Sequence, residues 1–270
     1  MDVIQIAKVN ILVRFTHRSS FKSLDKYIVD EIPEYSILTQ KDYAIELPDV
    51  EPIKTEYYDL YKTKDISIQI QKEGNTLLGY IIYLGKTILL KPVIDTFVTE
   101  YLLSQYAISY IMALNQALIF HGSSFIYDNK GIILSAKSGT GKSTHSRLWQ
   151  KYENVIVIND DKNILKIEGN DLICYSSLWS GKHQLDNNVS MKLSCIVFLY
   201  QNKDNVLTKL TKIEAFKRLI TQLVLPTMEN KELWNKIMDK LLELPILLLG
   251  CNMEKDAYLT LKKGIDELCY

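Results

Sequence analysis

AKSGTGKST, residues Ala136–Thr144, decides how this chain is read. It fits the phosphate-loop pattern [AG]-x-x-x-x-G-K-[ST], with Ala136 where glycine is commoner, and each fixed position has a physical task. Gly139 and Gly141 let backbone N–H groups turn inward around phosphate oxygens in conformations costly for other residues. The cradle spans Ser138, Gly139, Thr140, Gly141, Lys142, Ser143 and Thr144. Within it Lys142 would neutralise β/γ-phosphate charge and Ser143 would offer its hydroxyl to Mg²⁺. The preceding residues, Gly131–Ser135, read as an apolar strand, and Lys142–Lys151 reads as a helix with Leu148 and Trp149 on its core side. That strand–loop–helix order aims the positive end of a helix at the anion. The competing reading is a glycine-rich turn that binds nothing.

A short crossover leads from the loop to VIVINDD, Val155–Asp161. Val155–Ile158 is a compact apolar strand ending in Asn159, Asp160 and Asp161. Ligands of α/β sheets gather at the carboxyl ends of parallel strands. A strand next to the loop strand would therefore bring both carboxylates beside a terminal phosphate. One carboxylate then holds Mg²⁺ while the other accepts the proton of an attacking hydroxyl, and the residues alone do not say which does which. The plain alternative is a solvated turn after a strand.

The wider chain alternates strands and helices from Ile119 onward, as an α/β domain does. Leu193–Tyr200 reads as a strand buried on both faces. Thr211 and Glu214 make a capping-box pattern that opens a helix through Val224, stopped by Pro226. Further helices are expected over Lys231–Leu242 and from about Met253. Before Pro92 the chain is β-rich. Ile66, Ile68 and Ile70 alternate with Ser67, Gln69 and Gln71, as in a half-buried strand. Leu77–Leu84 and Thr87–Leu90 then complete an antiparallel meander. Between them, Val93–Leu118 carries helical spacing. The expected organisation is a β-rich region over 1–91, a place for acceptor recognition, and a phosphate-loop domain over 92–270.

Bulk composition excludes several classes. Lys+Arg and Asp+Glu are balanced at 32 each, so no global field favours nucleic acid or an anionic membrane. No stretch reaches the roughly 18 apolar residues of a spanning helix, and the N-terminus lacks the layout of a signal peptide. Cys174, Cys195, Cys251 and Cys269 are scattered, without C-x-x-C or histidine at ligand spacing, which argues against zinc and a disulfide framework. The expectation is a reduced, cytoplasmic protein without membrane or nucleic-acid partners.

The order HGSSFIYDNKGIIL (His121–Leu134), AKSGTGKST and VIVINDD resembles the HPr kinase/phosphorylase family and its relatives, the ATP-dependent phosphoenolpyruvate carboxykinases. Thr144 after Ser143 is nearer the carboxykinase wording. With Trp179-Ser180-Gly181-Lys182 the chain looks most like the stand-alone members encoded beside peptide-modification systems, some of which phosphorylate a serine of a precursor peptide. The resemblance covers about residues 115–200, more weakly the remaining C-terminal part, and not residues 1–90. It implies an α/β fold (α+β overall) with the phosphate-loop core of that family, and ATP, or another nucleoside triphosphate, with Mg²⁺ as cofactors. It also implies His121 beside the acidic pair; from the residues alone His121 is a satisfied histidine at a helix end. Lys182 is either a phosphate contact from a neighbouring loop or a solvated lysine. His145 on the loop helix reads as structural. Members form rings, so a homo-oligomer is one expectation and a monomer another. The downstream Arg-Gly segment tied to phosphorolysis has no match here, so a kinase without a strong reverse reaction is expected.

The functional expectation is transfer of the γ-phosphoryl group to a serine or threonine hydroxyl of a peptide or small protein, with catalytic residues Asp160, Asp161, His121 and Lys142 and metal ligands Ser143, Asp160 and Asp161. Two alternatives use the same core: a small-molecule kinase, for example on free serine, and a nucleotide-binding regulatory module without catalysis.

Overall fold

The computed structural model describes residues 1–42, 44–137, 140–181, 184–224, 230–252 and 254–269. It is a mixed α/β protein of two compact units, among the described residues Met1–Ile111 and those from Met112 onward, with five α-helices among the described residues. None of them is long and apolar enough to cross a membrane.

The first unit is one eight-stranded sheet. Its strands are β1 (Asp2–Ile6), β2 (Val9–Arg14), β3 (Tyr35–Thr39), β4 (Ile53–Lys54), β5 (Tyr58–Lys62), β6 (Ser67–Glu73), β7 (Thr76–Leu84) and β8 (Thr87–Pro92), followed by the helix α1 (Phe97–Leu114). They pair in the order β1-β2-β3-β8-β7-β6-β5-β4. The expected meander is there: β6, β7 and β8 pair antiparallel. The half-buried pattern of β6 is not, because Gln69 and Gln71 are buried as well. Gln69 accepts from the Tyr83 hydroxyl at 2.7 Å, and Gln71 donates to the Tyr106 hydroxyl of α1 at 3.2 Å. Buried amides survive there because they are hydrogen-bonded. Buried Glu100 of α1 accepts from the Thr16 and His17 amides at 2.7 and 2.8 Å and from the Thr39 hydroxyl. These bonds tie α1 to the sheet, so the compact unit runs to Ile111 where the sequence puts a boundary at Pro92. The helix also stops before Leu118. Gln116 adopts φ 60°, a left-handed conformation that ends the spiral, and Ala117 and Leu118 enter a strand.

The second unit contains β9 (Ala117–His121), β10 (Ser123–Tyr127), β11 (Lys130–Ser135), α2 (Lys142–Glu153), β12 (Ile156–Asn159), β13 (Lys162–Glu168), β14 (Asp171–Tyr175) and β15 (Ser190–Gln201). After these come β16 (Val206–Lys209), α3 (Lys212–Leu219), β17 (Leu223–Val224), α4 (Lys231–Glu243), β18 (Ile246–Cys251) and α5 (Lys255–Leu268). The strands follow the path β12-β10-β11-β15-β14-β13-β9-β17, with β18 on β15 and β16 on β18. β11, β15 and β18 are mutually parallel; the other pairings are antiparallel. From Cys195 to Leu199 the long strand β15 is apolar and buried, because both faces are covered there. Ile196 and Phe198 point into a core shared with Ile237 and Leu241 of α4. Cys195, Val197 and Leu199 point into the opposite core, with Trp149 of α2 and Leu261 of α5.

Two expectations fail here. The capping box at Thr211 and Glu214 is complete, but its helix ends at Leu219, since Leu223 and Val224 pair with Phe120 and Ile119 of β9. Cross-strand pairing wins over helical spacing. The strand carrying the acidic pair also does not adjoin the loop strand. β10 runs antiparallel between β11 and β12, which leaves both strands pointing the same way, so their carboxyl ends reach the same edge.

Candidate active site

Two strand ends and one helix start meet at that edge. The segment after β11 leaves the sheet at Ala136, and α2 begins at Lys142 with Gly141 as its N-cap at φ 110°, a conformation closed to most side chains. Gly141 has no side chain to cap this helix end, so among the described residues the first-turn N–H groups, which have no intrahelical acceptor, are left for another partner. Thr140 donates to the Lys137 carbonyl at 3.2 Å and tightens the turn. Half-buried Lys142 curls back to donate to the Ala136 carbonyl at 2.8 Å. Ser143 and Thr144 sit in the same first turn, both half-buried. Ser138 and Gly139 lie outside the described residues, as do Lys182 and His183.

Asp161 stands where β12 hands over to β13. His121 Nε2 lies 3.1 Å from one carboxylate oxygen and Lys162 Nζ 2.7 Å from the other. Burial pushes its carboxyl up, but His121 and Lys162 outweigh that and hold it at about 2. Burial lowers the Lys142 ammonium and the charge of Asp161 opposes the shift, so the two charges feel one another across this edge. His121 therefore ends a strand, not a helix, and it faces Asp161. The structure thus brings His121, Asp161 and Lys142 to one edge.

Asp160 has a different environment. One of its oxygens accepts from the Gly181 amide at 2.5 Å; the other is buried and, among the described residues, has no hydrogen-bond partner. Burial raises its carboxyl, the amides of Gly181 and Leu185 pull the other way, and the charge of Asp161 raises it further. A buried carboxylate oxygen left unpaired is costly, so this atom suits a cation.

Sequence reading missed the residues that fix this geometry. Asn159 turns its side-chain oxygen onto the amides of Asp161 and Lys162 at 2.8 and 2.9 Å, an Asx turn that orients both acids. The Asp161 carbonyl accepts from the Gly122 amide at 2.8 Å. Ser135 donates either to the His121 carbonyl or to the Gln222 side chain, each at 3.0 Å, and the His121 amide donates to the Gln222 carbonyl at 2.9 Å. Ser123 and Ser146 share a buried hydrogen bond at 2.8 Å that pins α2 to β10. Asn-Asp-Asp was a readable turn signal; Gln222 and Ser146 carried none. His145 is buried, as a structural histidine would be, although among the described residues neither ring nitrogen has a hydrogen-bond partner.

The residues fit the groups the sequence implied. An uncapped helix start with a lysine folded over it suits a polyphosphate. Ser143 and the free oxygen of Asp160 are hard oxygen donors, as Mg²⁺ prefers. Among the described residues no three His, Cys, Asp or Glu side chains are grouped to hold a metal unaided. Mg²⁺ ordinarily takes one or two protein ligands and fills its shell from phosphate and water.

No family model matches the chain, and no curated protein does. Among solved structures it is similar to the HPr(Ser) kinase/phosphatase from Coxiella burnetii, with 13% identity and a TM-score of 0.35 over 55% of this chain and 94% of that one. A likeness at that level carries no argument, and the case for function rests on the site.

Proposed function

We propose that the chain is a Mg²⁺- and ATP-dependent phosphotransferase acting on a serine or threonine hydroxyl of a peptide or small protein. The observation that carries this reading is the meeting of His121, Asp161 and Lys142 beside an uncapped helix start that ends a phosphate-loop pattern. Lys142 and the first-turn amides of α2 would hold the β- and γ-phosphates. Ser143 and Asp160 would hold Mg²⁺, which when bound supplies positive charge on the phosphate oxygens. Asp161 is ionised throughout the physiological range and remains partly exposed, with 25% of its side-chain surface open, so it is the carboxylate an acceptor hydroxyl can touch.

In the transfer, a bond forms between the acceptor oxygen and the γ-phosphorus. The bond from that phosphorus to the β–γ bridging oxygen breaks, and its electron pair leaves on ADP. The hydroxyl proton passes to Asp161, with His121 at 3.1 Å placed to steady the carboxylate. A carboxyl near 2 is a weak base, yet phosphoryl transfer asks for positioning and charge neutralisation more than for proton abstraction.

The test is incubation with Mg-ATP and hydroxyl-bearing peptides, read by mass spectrometry as one added phosphoryl group. Transfer that persists in both Asp160→Asn and Asp161→Asn would remove the mechanism. Turnover with free serine and none with peptides would replace the acceptor class. Tight nucleotide binding without any phosphorylated product would leave a regulatory module.

A further inference from the structure

Against the same edge lies an open cleft of about 760 Å³, on the side of the sheet that carries α3. Its floor is apolar, from Phe198 of β15 and Leu248 of β18, and one rim is Ala136, Lys137 and Thr140. The opposite wall is the last turn of α3 and the residues after it, with Lys217, Arg218 and Gln222. Three cations line this space and, among the described residues, no carboxylate does. Among the described residues none of the three forms an ion pair there; Lys217 and Arg218 feel the charge of Glu214 at longer range. Basic residues in a last helical turn also complement the helix dipole, which explains Lys217 and Arg218 singly. It does not explain Lys137, which comes from the loop segment facing them. The chain is neutral overall, so attraction of an anion to this edge has to be local.

We infer that this cleft receives the acceptor, and that the acceptor is acidic: a peptide carrying Asp or Glu within a residue or two of the hydroxyl that is phosphorylated. The inference rests on the kinase reading above and adds the chemistry of its substrate. Position supports it. Gln222, part of the cleft wall, accepts the His121 amide at 2.9 Å through its carbonyl and is a partner of Ser135 at 3.0 Å through its side chain. The wall is therefore hydrogen-bonded to the strand end that presents His121 to Asp161. Size supports it too. A single phosphate would fill a small part of 760 Å³, whereas pockets of roughly 300–1,000 Å³ suit ligands the size of a short peptide segment. The apolar floor gives a neighbouring hydrophobic side chain a place to lie while carboxylates meet the three cations. Guanidinium and ammonium groups bind carboxylates through charge-assisted hydrogen bonds.

The experiment compares a serine peptide flanked by Asp and Glu with its Asn and Gln counterpart, in the full chain and in the double variant Lys217→Glu/Arg218→Glu. Binding of each labelled peptide is read by fluorescence anisotropy, and transfer by mass spectrometry. The wild type is expected to bind the acidic peptide about tenfold more tightly than the amide peptide. Charge reversal should erase that preference and raise the KM for the acidic peptide about tenfold, with the KM for ATP unmoved and the preference weakening as salt rises. An unchanged melting midpoint separates this from a folding defect, and the milder Lys217→Gln/Arg218→Gln pair replaces the variant should the first not fold. Equal affinity for both peptides in the wild type overturns the inference while transfer leaves the kinase reading standing. A loss confined to ATP affinity also overturns it, by showing that the cations serve the nucleotide's phosphates. Charge-dependent binding without transfer keeps the cleft as a site for acidic peptides and sinks the kinase reading.

Discussion

Two adjacent aspartates in one turn have become unlike groups through their neighbours alone. Asp161 has His121 and Lys162 against its oxygens and is held at about 2, whereas Asp160 is buried with one oxygen unpartnered among the described residues. Asp161→Asn should therefore abolish transfer, a loss on the order of a hundredfold or more, while Mg²⁺-dependent nucleotide binding is retained. Asp160→Asn should weaken Mg²⁺ affinity instead. Titration calorimetry with Mg²⁺ and nucleotide, beside a transfer assay, separates the two, and the reverse pattern would exchange their roles. Lys142→Ala should lower kcat by about 10²–10³ with little change in melting, because its amine bonds only a carbonyl of its own loop. His145 makes a stability prediction of its own. Burial lowers its imidazole from the ordinary 6.5 to about 4, so between those values the unfolded chain binds a proton that the folded chain refuses. Stability is then full above about 6.5 and falls as pH drops toward 4, by roughly 3 kcal/mol at the bottom of that window. Asp161 acts in a separate window, since its depressed carboxyl gives up stability only as pH falls from about 4 toward 2. Denaturant midpoints of wild type and His145→Met between pH 7 and 4.5 test this; an equal slope in both would show that His145 contributes nothing.

Elements were legible where a single local rule governed them. The capping box of α3, the double-faced apolar run of β15 and the loop helix α2 all follow from neighbours along the chain. What failed was decided across strands. Nothing in Leu223–Val224 announces pairing with β9, and nothing in the Ser123–Tyr127 stretch announces that β10 would stand between the loop strand and the acidic strand. The same holds in the site: the Asp pair and Lys142 could be named from spacing, but the tie from Ser135 to Gln222 joins residues 87 positions apart. Gly122 shows how tightly the arrangement is packed. A Cβ there would meet the Ile133 side chain at 2.6 Å and the Leu134 carbonyl at 3.0 Å, and the carbonyl belongs to β11 and cannot move away cheaply. Gly122→Ala is expected to cost about 1–3 kcal/mol by overpacking and to lower transfer as well, since the Gly122 amide holds the Asp161 carbonyl. Chemical denaturation and the transfer assay together check it; an alanine variant of wild-type stability and rate would mean the strands have room that the structure does not give them.

At the scale of the molecule, every residue placed in the site comes from the chain beyond Met112, and the eight-stranded sheet of the first unit contributes none of them. Glu100 and Tyr106 of α1 bond to Thr39 and Gln71 of the first sheet, so the compact unit runs on past Pro92 to Ile111. The outermost strands of that sheet are β1 and β4. The first already accepts an amide from Val29 at its Val3 carbonyl and bridges Ile28 at Ile4, and the second has two residues, so an incoming strand would find few backbone partners at either. Nucleotide should for these reasons stabilise the second unit and leave the first as it was. At a hundredfold excess over Kd, binding adds about 2.7 kcal/mol to the unit that binds, which slows exchange of its slowest amides roughly a hundredfold. Hydrogen exchange with and without saturating Mg²⁺ and a non-hydrolysable ATP analogue reads this directly. Slowing across β11, α2, β12 and β15 with β1–β8 unchanged is the expected result. Equal slowing in β5–β8 would mean that the first unit also holds the nucleotide, and the site drawn from His121, Lys142, Asp160 and Asp161 would then be incomplete.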